Sequence, residues 1–525
     1  LEDTIRVIEN NPYELIDTID GITFNKIDSL RNKTNVSIND ERRVLALIVN
    51  AIKNYCFNTG DTYILEDNLY NLIRQTYEED ISLETLKYYL IELNSLGKII
   101  IEDDKYILSS YYKSEMYVSS RIYDLANLSD TSIKDIDRKI ESLEGFFDIT
   151  YNEEQKKAIR QALTKNFSII TGGPGTGKTT IIKGIVQLYK MVSGLSMDSL
   201  EEKLVLLAPT GRAAKRMSEA CKYRASTIHR YLKWNKETNE FGLNERNKSN
   251  AAFVILDETS MIDIDLLANF LKAMKSNVKL VFIGDYNQLE SVGPGKILKD
   301  LIETDMVNTI FLKDIYRQGR NSYITHLAYE VNNGELQESF LEKKDDYNFI
   351  KCSDEDILSV TCKLALIAKE KGYDLKNIQV LAPVYKGVNG IDNLNKKLQN
   401  IFNPPSADKK EVYDIDTIYR QGDKVLQLEN MPDDNVFNGD IGFIDKIDGY
   451  EITVNYDGNM VKYNKKDYKA IKLGYAISVH KSQGSEFEIV IMPITKTYKM
   501  MLYKKIIYTG ITRAKKSLML VGDPY

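Results

Sequence analysis

The chain has 525 residues, of which 43% are hydrophobic and 28% are charged, with 29 Gly and 10 Pro. This composition provides apolar material for several cores and excludes a mostly disordered, collagen-like or disulfide-scaffold protein. The 70 basic and 76 acidic residues give a net charge of −6. That balance argues against a protein that coats nucleic acid with its whole surface, but it allows a local basic groove. At ~150 residues per domain, the length predicts three to four domains.

Four isolated cysteines indicate the cellular compartment. Cys56, Cys221, Cys352 and Cys362 form no C-x-x-C pair and have no histidine at zinc-binding spacing. We therefore expect reduced, mostly buried thiols and a cytoplasmic location. No apolar run approaches the ~20 residues of a membrane helix, so we expect no membrane partner. The sequence starts at Leu1, and we expect its numbering to begin inside a longer protein.

The first 150 residues carry no evident catalytic cluster. Segments 11–15 and 22–30 predict two short helices joined by a Gly-containing turn, which fits either a phosphate-binding hairpin or a plain helix pair. Helical periodicity dominates from residue 41, and the apolar runs 97–101 and 106–108 then predict a β-hairpin. Helices followed by such a hairpin resemble a winged-helix module, either a structural adaptor or a DNA reader. Residues 109–150 are predicted to form a helical connector.

From residue 151 onward, short apolar runs alternate with helical segments. The predicted strands are 167–171, 204–208, 253–256, 280–284, 380–382, 489–492 and 518–522. This alternation predicts parallel α/β sheets, whose ligands bind beyond the carboxyl ends of the strands. Between 402 and 472 the pattern changes to short β-like runs separated by Asp-Gly turns, which predicts a small β-barrel inserted in an α/β domain.

The strongest motif is Gly172-Gly173-Pro174-Gly175-Thr176-Gly177-Lys178-Thr179, which matches G-x-x-x-x-G-K-[ST]. It lies between a predicted strand and a predicted helix, as a phosphate loop requires. Its glycines let backbone N–H groups approach phosphates. Lys178 is expected to neutralise the β- and γ-phosphates of ATP, and Thr179 is expected to ligate Mg²⁺.

Acidic and amide side chains follow two further predicted strands. Asp257 and Glu258 come directly after the strand 253–256, which suits Mg²⁺ binding by Asp257 and water activation by Glu258. Gln288 follows the next strand and is expected to hydrogen-bond the γ-phosphate; the alternative is an ordinary loop glutamine. Arg317 and Arg513 are candidate arginine fingers, or else surface ion pairs.

The order of these motifs resembles the superfamily-one DNA helicases of the RecD-like group. The resemblance covers residues 151–525 and rests on the phosphate loop together with NEEQ at 152–155, APTGRAA at 208–214, STIHR at 226–230, DETSM at 257–261, GDYNQL at 284–289, YRQ at 316–318, FNGDIG at 437–442, VHKSQGSEF at 479–487 and YTGITRA at 508–514. A weaker resemblance links the N-terminal part to the extension of the long, stand-alone members.

The resemblance implies an α/β fold with two RecA-like domains and ATP between them. The expected domains are the end of a helix-hairpin-helix region at 1–35, a winged-helix-like domain and connector at 36–150, a first RecA-like domain at 151–320 and a second at 321–525. An SH3-like insert is expected at 402–472. A hairpin insert at 231–251, with Trp234, is expected to split duplex DNA.

The resemblance also assigns residues. The nucleotide-binding set would comprise Gln155 at the adenine, the phosphate loop with Thr180, and Gly484 and Glu486 in the segment that couples nucleotide to DNA. Arg317 and Arg513 would reach across from the second domain. The residues expected to touch the single strand are Thr210, Arg212, His229, Pro383, Tyr385, His480 and Ser482; a packing or capping role is the alternative for each.

The sequence thus predicts a helicase that uses ATP and Mg²⁺, moves 5′ to 3′ on single-stranded DNA and unwinds tailed duplexes, in DNA repair or recombination. The direction comes from the resemblance alone. The alternative is a nucleic-acid-dependent ATPase that remodels RNA or protein–DNA complexes without productive unwinding. No nuclease motif is found, and protein partners are not predicted.

Overall fold

The computed structural model describes residues 10–18, 22–31, 36–76, 81–235, 238–313, 322–431 and 434–524. The chain forms two compact units. The first contains residues 1–124, 261–272 and 290–300, and the second contains residues 125–260, 273–289 and 301–525. Among the residues described, no helix is both long and apolar enough to cross a bilayer.

The strands are numbered in chain order. They are β1 Tyr63–Leu65, β2 Ile99–Glu102, β3 Lys105–Leu108, β4 Phe167–Gly172, β5 Leu204–Ala208, β6 Ala225–Thr227, β7 Trp234–Asn235, β8 Glu240–Phe241, β9 Phe253–Leu256, β10 Lys279–Gly284, β11 Thr309–Leu312, β12 Tyr347–Lys351, β13 Ile378–Ala382, β14 Glu411–Asp414, β15 Thr417–Arg420, β16 Lys424–Gln427, β17 Ile441–Asp448, β18 Glu451–Tyr456, β19 Asn459–Tyr463, β20 Ile471–Leu473, β21 Ala476–Ser478, β22 Phe487–Ile494 and β23 Ala514–Gly522.

The α-helices are Leu15–Thr18, Phe24–Asp28, Glu41–Thr59, Glu66–Thr76, Leu83–Ser95, Ser109–Ala126, Ile136–Phe147, Glu153–Thr164, Lys178–Ser193, Met197–Lys203, Gly211–Cys221, Ile228–Tyr231, Ile264–Lys272, Ile297–Glu303, Tyr323–Asn333, Ile357–Glu370, Ile391–Phe402 and Lys504–Ile511. Short 3₁₀ turns lie at Pro12–Glu14, Thr259–Met261, Glu338–Leu341, Leu375–Asn377, Lys465–Ala470, His480–Ser482 and Lys496–Met501.

The first unit contains a small antiparallel sheet of order β1-β3-β2 beside its helices. The predicted hairpin is confirmed: β2 and β3 pair across a tight turn in which Asp103 has φ +53°. The sequence missed β1, because its three residues precede a helix and show no alternation. Two short helices flank the predicted Gly-containing turn, as expected, but Gly21 itself lies outside the described residues.

The second unit contains two parallel sheets, of order β11-β4-β10-β9-β5-β6 and β12-β23-β22-β13-β21. All strand pairs within them are parallel. Strands β4, β5 and β9 are buried along their whole length. Apolar runs without alternation are typical of strands covered by helices on both faces. The predicted α/β class is therefore confirmed, and every strand predicted in this part is present, several of them longer than expected.

A five-stranded antiparallel sheet of order β19-β18-β17-β16-β20 lies between β13 and β21 in the chain. It contains the short β-like runs predicted between 402 and 472. Its buried face contributes Val425, Ile444, Val454 and Val461 to a core shared with the second parallel sheet. The additional hairpin β14–β15 was not predicted. The insert at 231–251 contains the two-stranded ladder β7–β8.

Candidate functional site

The phosphate loop joins β4 directly to the helix Lys178–Ser193. Gly175 and Gly177 adopt φ +77° and +88°, which L-residues with a side chain rarely tolerate. A Cβ at Gly177 would lie 2.4 Å from Nε2 of Gln155. The Thr176 hydroxyl donates to the Gly173 carbonyl at 2.9 Å and closes the loop. The glycines are therefore required by backbone conformation and by close packing.

Lys178 folds back over this loop at the first residue of the helix. Its Nζ donates to the carbonyl oxygens of Gly172 at 2.6 Å and Gly173 at 2.9 Å. Thr179 is exposed in the first helical turn, and Thr180 and Pro174 are half-buried. An ammonium group at a helix N-terminus, beside backbone N–H groups, forms an anion-binding environment. Phosphate oxygens would give shorter and stronger hydrogen bonds than the two neutral carbonyls.

Gln155 packs against the phosphate loop. Its Nε2 donates to the Thr176 carbonyl at 3.3 Å, while its Oε1 accepts from the Asn152 N–H at 3.1 Å. The Asn152 side chain accepts in turn from the Gln155 N–H, which completes a capping box. In this conformation both ends of the Gln155 amide are used within the protein. Its expected contact with adenine stays a prediction.

Asp257 and Glu258 follow β9 at the carboxyl edge of the first sheet. The Asp257 N–H donates to the Leu207 carbonyl, and Glu258 adopts φ +52° with its N–H donating to Oδ1 of Asp257 at 2.9 Å. Burial, followed by the neighbouring Glu258 charge, raises the pKa of Asp257 to about 7 against the opposing effect of Lys178. A divalent cation would relieve this repulsion, and carboxylate and hydroxyl oxygens are the ligands that Mg²⁺ prefers. The donor set therefore fits Mg²⁺.

Gln288 lies in a turn that is fixed by Asp285. Its Nε2 donates to Oδ2 of Asp285 at 3.1 Å, and the same oxygen accepts from the Tyr508 hydroxyl at 2.8 Å. The Leu289 N–H donates to the Thr509 hydroxyl at 3.1 Å. Residues 285–289, which follow β10 of the first sheet, thus directly contact the helix Lys504–Ile511, which leads into β23 of the second sheet. The sequence assigned no role to Asp285 or Tyr508, although both stand within quoted motifs.

Arg513 is buried at the start of the last strand. Its guanidinium donates to three neutral acceptors, namely the Thr509 carbonyl, the Ser485 carbonyl and the Thr512 hydroxyl, each at 3.1 Å. Burial lowers its pKa, while the charges of Glu258 and Glu486 raise it. The charge of Glu258, in the acidic pair of the first sheet, thus acts on Arg513, and the role of Arg513 as an arginine finger stays a prediction. Arg317, the second candidate, lies outside the described residues.

Glu486 forms an ion-pair bridge to Arg216, a residue that the sequence prediction missed. Oε2 of Glu486 lies 2.8 Å from Arg216 and 3.2 Å from Lys515. Arg216 also donates to the Gly484 carbonyl at 2.7 Å, and Gly484 adopts φ +69°. Arg216 stands one helical turn after Arg212, so the i, i+4 spacing could have indicated a shared face. Gly484 and Glu486 thus contact the first sheet's helix Gly211–Cys221.

Two predicted strand-binding residues of the first sheet are used inside the protein. The Thr210 hydroxyl caps the helix Gly211–Cys221 by accepting from the Ala213 N–H at 3.2 Å. The Arg212 guanidinium lies over the Phe487 ring at 5.4 Å and donates to the Gly439 carbonyl at 3.2 Å. Burial lowers the pKa of Arg212 to about 10. The packing and capping alternative thus describes both side chains in this conformation.

Of the three residues near the first sheet that are predicted to touch the strand, His229 is exposed. Its ring lies 6.3 Å from Trp234 and 5.9 Å from Phe241, and the Trp234 and Phe241 rings are 4.6 Å apart. The three rings form a small aromatic cluster at the β7–β8 ladder, and Trp234 remains 38% exposed. Exposed aromatic rings can stack on nucleic-acid bases without reading sequence.

The second-sheet candidates differ in accessibility. Tyr385 is 41% exposed and lies beneath the Lys472 ammonium at 5.4 Å. His480 is half-buried, and burial lowers its pKa. Pro383 is buried, and Ser482 is fully buried with its hydroxyl donating to the Val479 carbonyl at 2.6 Å. The structure therefore does not bring Pro383 or Ser482 to the surface.

Family models match four segments of the chain in the order of this architecture. The HHH domain of ATP-dependent RecD2 DNA helicases matches residues 1–63, and an AAA domain matches residues 150–355. The SH3 domain of ATP-dependent RecD-like DNA helicases matches residues 394–456, and the UvrD-like helicase C-terminal domain matches residues 473–521. The chain belongs to the RecD-like helicases of superfamily one. The predicted family is confirmed.

The RecD2 and RecD relatives agree with this membership. The chain is 32% identical over 372 residues to the ATP-dependent RecD2 DNA helicase of Deinococcus radiodurans, covering 71% of this chain and 49% of that relative. It is 27% identical over 492 residues to the RecBCD enzyme subunit RecD of Buchnera aphidicola subsp. Schizaphis graminum, covering 80% of each. The chain thus spans about half the length of the Deinococcus relative. The Pif1 helicase from Candida albicans has a TM-score of 0.44 at 18% identity, covering 71% of this chain and 95% of that one.

Proposed function

We propose that this chain is an ATP-dependent DNA helicase that translocates 5′ to 3′ on single-stranded DNA and unwinds tailed duplexes, in DNA repair or recombination. One observation supports this most strongly. The phosphate loop after β4 of the first sheet lies against the helix Lys504–Ile511, which leads into β23 of the second sheet: a Cβ added at Gly173 would lie 3.2 Å from the Tyr508 hydroxyl. A nucleotide bound at this loop would be contacted by residues of both sheets. Its binding and hydrolysis can therefore move one sheet relative to the other.

We propose the following roles for the residues around the phosphate loop. Lys178 would leave the carbonyls of Gly172 and Gly173 and bind the phosphates of ATP. Mg²⁺, held by Thr179 and Asp257, would supply charge neutralisation between the phosphates. Glu258 is proposed to accept a proton from the attacking water, and Gln288 to hydrogen-bond the γ-phosphate. Arg513 would stabilise the charge that develops during transfer, with Arg317 as the second proposed finger.

Coupling to DNA is proposed to pass through the Arg216–Glu486 bridge. Glu486 belongs to the second sheet, whereas Arg216 lies on the first sheet's helix Gly211–Cys221. Thr210, which caps that helix, lies in a segment proposed to contact the strand. The other proposed contacts are Arg212, His229, Pro383, Tyr385, His480 and Ser482. For the buried members, namely Pro383 and Ser482, and for the half-buried Arg212, the contact requires backbone groups or a rearranged cleft.

The domain boundaries predicted from the sequence are kept as part of the proposal, with the hairpin insert 231–251 as the strand-separating element. All four cysteines are unpaired, which agrees with the proposed cytoplasmic location, because such thiols persist in reducing compartments.

The direct test is strand displacement with DNA duplexes that carry either a 5′ or a 3′ single-stranded tail. We expect ATP-dependent unwinding from the 5′ tail. Unwinding from the 3′ tail alone would contradict the polarity, and DNA-stimulated ATP hydrolysis without unwinding of either substrate would favour the remodelling alternative.

A variant test addresses the nucleotide site. Lys178→Ala should abolish DNA-stimulated ATP hydrolysis, because the phosphates lose their cation. Lys190→Ala is the matched control, since it removes an ammonium from the same helix about 18 Å away along the axis. Wild-type hydrolysis by Lys178→Ala would show that the phosphate loop is not the hydrolytic site.

A further inference from the structure

The hydroxyl of Tyr508 reaches from the second sheet's helix into the turn that holds Gln288. Tyr508 is 4% exposed, and its hydroxyl donates to Oδ2 of Asp285 at 2.8 Å. A Cβ at Gly173 would lie 3.2 Å from the same hydroxyl, so this group also borders the phosphate loop. The side chain is therefore placed between two parts of the first sheet that are expected to meet the nucleotide.

Asp285 links Tyr508 to Gln288. The aspartate is fully buried, and its Oδ2 accepts from both Tyr508 and Nε2 of Gln288, the latter at 3.1 Å. Its Oδ1 accepts from the Asn287 N–H at 3.1 Å. Burial and the Asp285 charge raise the pKa of Tyr508 well above 10, which keeps the hydroxyl a donor. Hydrogen bonds that share one buried carboxylate depend on each other, so a change at Tyr508 reaches the Gln288 amide.

The same helix also leads to Arg513. The carbonyl of Thr509, the residue after Tyr508, accepts from Nε of Arg513, while the Thr509 hydroxyl accepts from the Leu289 N–H. Tyr508 thus holds Gln288, the proposed γ-phosphate sensor, through Asp285. The next residue of the same helix, Thr509, holds Arg513, the proposed arginine finger. Tyr508 supplies the contact that can be removed with least disturbance, because only one oxygen atom needs to be deleted.

We propose that Tyr508 is a positioning residue for ATP hydrolysis, whose hydroxyl orients Gln288 through Asp285 and so aligns the γ-phosphate sensor with Arg513. This inference rests on the proposed function, since it assumes that Gln288 meets the γ-phosphate. Tyr508 acts through its neighbours rather than on the reacting atoms.

The first test compares Tyr508→Phe with Tyr498→Phe. Tyr498 is also 4% exposed in the second unit, and its hydroxyl donates to the Asn389 carbonyl at 2.7 Å, so the control loses an equally buried hydrogen bond. We expect Tyr508→Phe to lower kcat for DNA-stimulated hydrolysis about tenfold, the equivalent of roughly 1.4 kcal/mol for one hydrogen bond to a charged group. KM for ATP should rise as well, because a displaced Gln288 no longer hydrogen-bonds the γ-phosphate in the bound state.

The second test asks whether the effect passes through Gln288. In a Gln288→Ala background, Tyr508→Phe should cause no further loss of kcat, since the positioned group is already absent. Full additivity of the two losses would overturn the proposal, and so would equal losses in Tyr508→Phe and Tyr498→Phe.

A binding measurement separates this inference from the proposed function. The ratio of dissociation constants for ADP and a non-hydrolysable ATP analogue, measured by fluorescence titration, reports recognition of the γ-phosphate without turnover. We expect Tyr508→Phe to reduce this ratio about tenfold and Tyr498→Phe to leave it unchanged. An unchanged ratio in Tyr508→Phe would refute the positioning role. A reduced ratio in a protein that shows no DNA-stimulated hydrolysis would instead support the role and refute the helicase proposal.

Discussion

Lys424 offers a quantitative test of how the inserted sheet is joined to the second parallel sheet. It is fully buried at the start of β16, and its Nζ donates to the carbonyls of Leu375 and Ile378 and to Oε1 of Gln379, at 2.9 to 3.0 Å. Three acceptors match the three N–H bonds of an ammonium group. Lys424→Met keeps the length of the side chain but leaves these acceptors without their donor. Because buried unpaired acceptors are costly, we expect a loss of about 2 kcal/mol in the free energy of unfolding at pH 7.

The same substitution should have a distinctive pH dependence. Burial lowers the pKa of Lys424 from 10.5 to about 7. Between these values the unfolded chain binds one more proton at Lys424 than the folded chain, so wild-type stability rises with pH relative to the Met variant. The slope is ~1.4 kcal/mol per pH unit. The destabilisation by Lys424→Met should therefore be constant below pH 7 and grow by roughly 2 to 3 kcal/mol between pH 7 and pH 9.

Urea unfolding followed by circular dichroism, at several pH values from 6 to 9.5 (about the range in which Lys424 titrates), measures this difference. Lys462→Met is the matched control, because Lys462 is exposed on β19 of the same sheet and pairs with Glu451 at 2.9 Å. An exposed pair of this kind contributes less than about 1 kcal/mol. A Lys424→Met effect that stays constant from pH 7 to pH 9, or that shrinks, would refute the reasoning that burial depresses this lysine's protonation.

Two further substitutions test the contacts of the helix Gly211–Cys221. Arg216→Ala should uncouple DNA binding from hydrolysis. It should lower the DNA stimulation of ATPase activity several-fold and leave basal hydrolysis nearly unchanged. In a double-mutant cycle with Glu486→Ala, the two losses should not be additive. Gly211→Ala would place a Cβ 2.1 Å from the Phe437 ring, so thermal denaturation should show a loss of about 1 to 3 kcal/mol. Phe437→Ala should restore much of that loss, and an additive double variant would contradict the steric explanation.

The sequence predicted the parallel sheets well because their strands are continuous apolar runs that end in motif residues. Strand β5 begins and ends at its predicted residues, and β4 extends by only one residue, to Gly172. Short edge strands such as β6 and β21 were missed, because three residues carry no periodicity of their own and pair only when the neighbouring strand is in place. The pattern of residues within a short segment cannot reveal a partner strand that lies far away in the chain.

The sequence predicted which residues make up the candidate site, but not the hydrogen bonds that connect them. Lys178, Asp257 and Gln288 lie at the carboxyl edge of the first sheet, as the motif order implied, whereas Arg513 directly precedes β23 at the amino edge of the second sheet. The links between them depend on Asp285 and Tyr508, whose importance appears only when the two sheets are brought together. Likewise, nothing in the sequence distinguishes an Arg that meets a phosphate from one that stacks on a ring, as Arg212 does on Phe487.

The positively charged side chains of the cleft differ in the groups to which they donate hydrogen bonds, and this difference distinguishes their roles. Arg216 has a carboxylate partner in Glu486 at 2.8 Å. Lys178 and Arg513 donate only to carbonyls and a hydroxyl, and within the described part of the chain neither lies in a salt bridge. A cation that holds neutral acceptors gains more from an arriving phosphate than one already neutralised by a carboxylate, because charge-assisted hydrogen bonds are roughly twice as strong. The net charge of −6 therefore says little about this cleft. The positive charge that ATP requires is concentrated at two side chains.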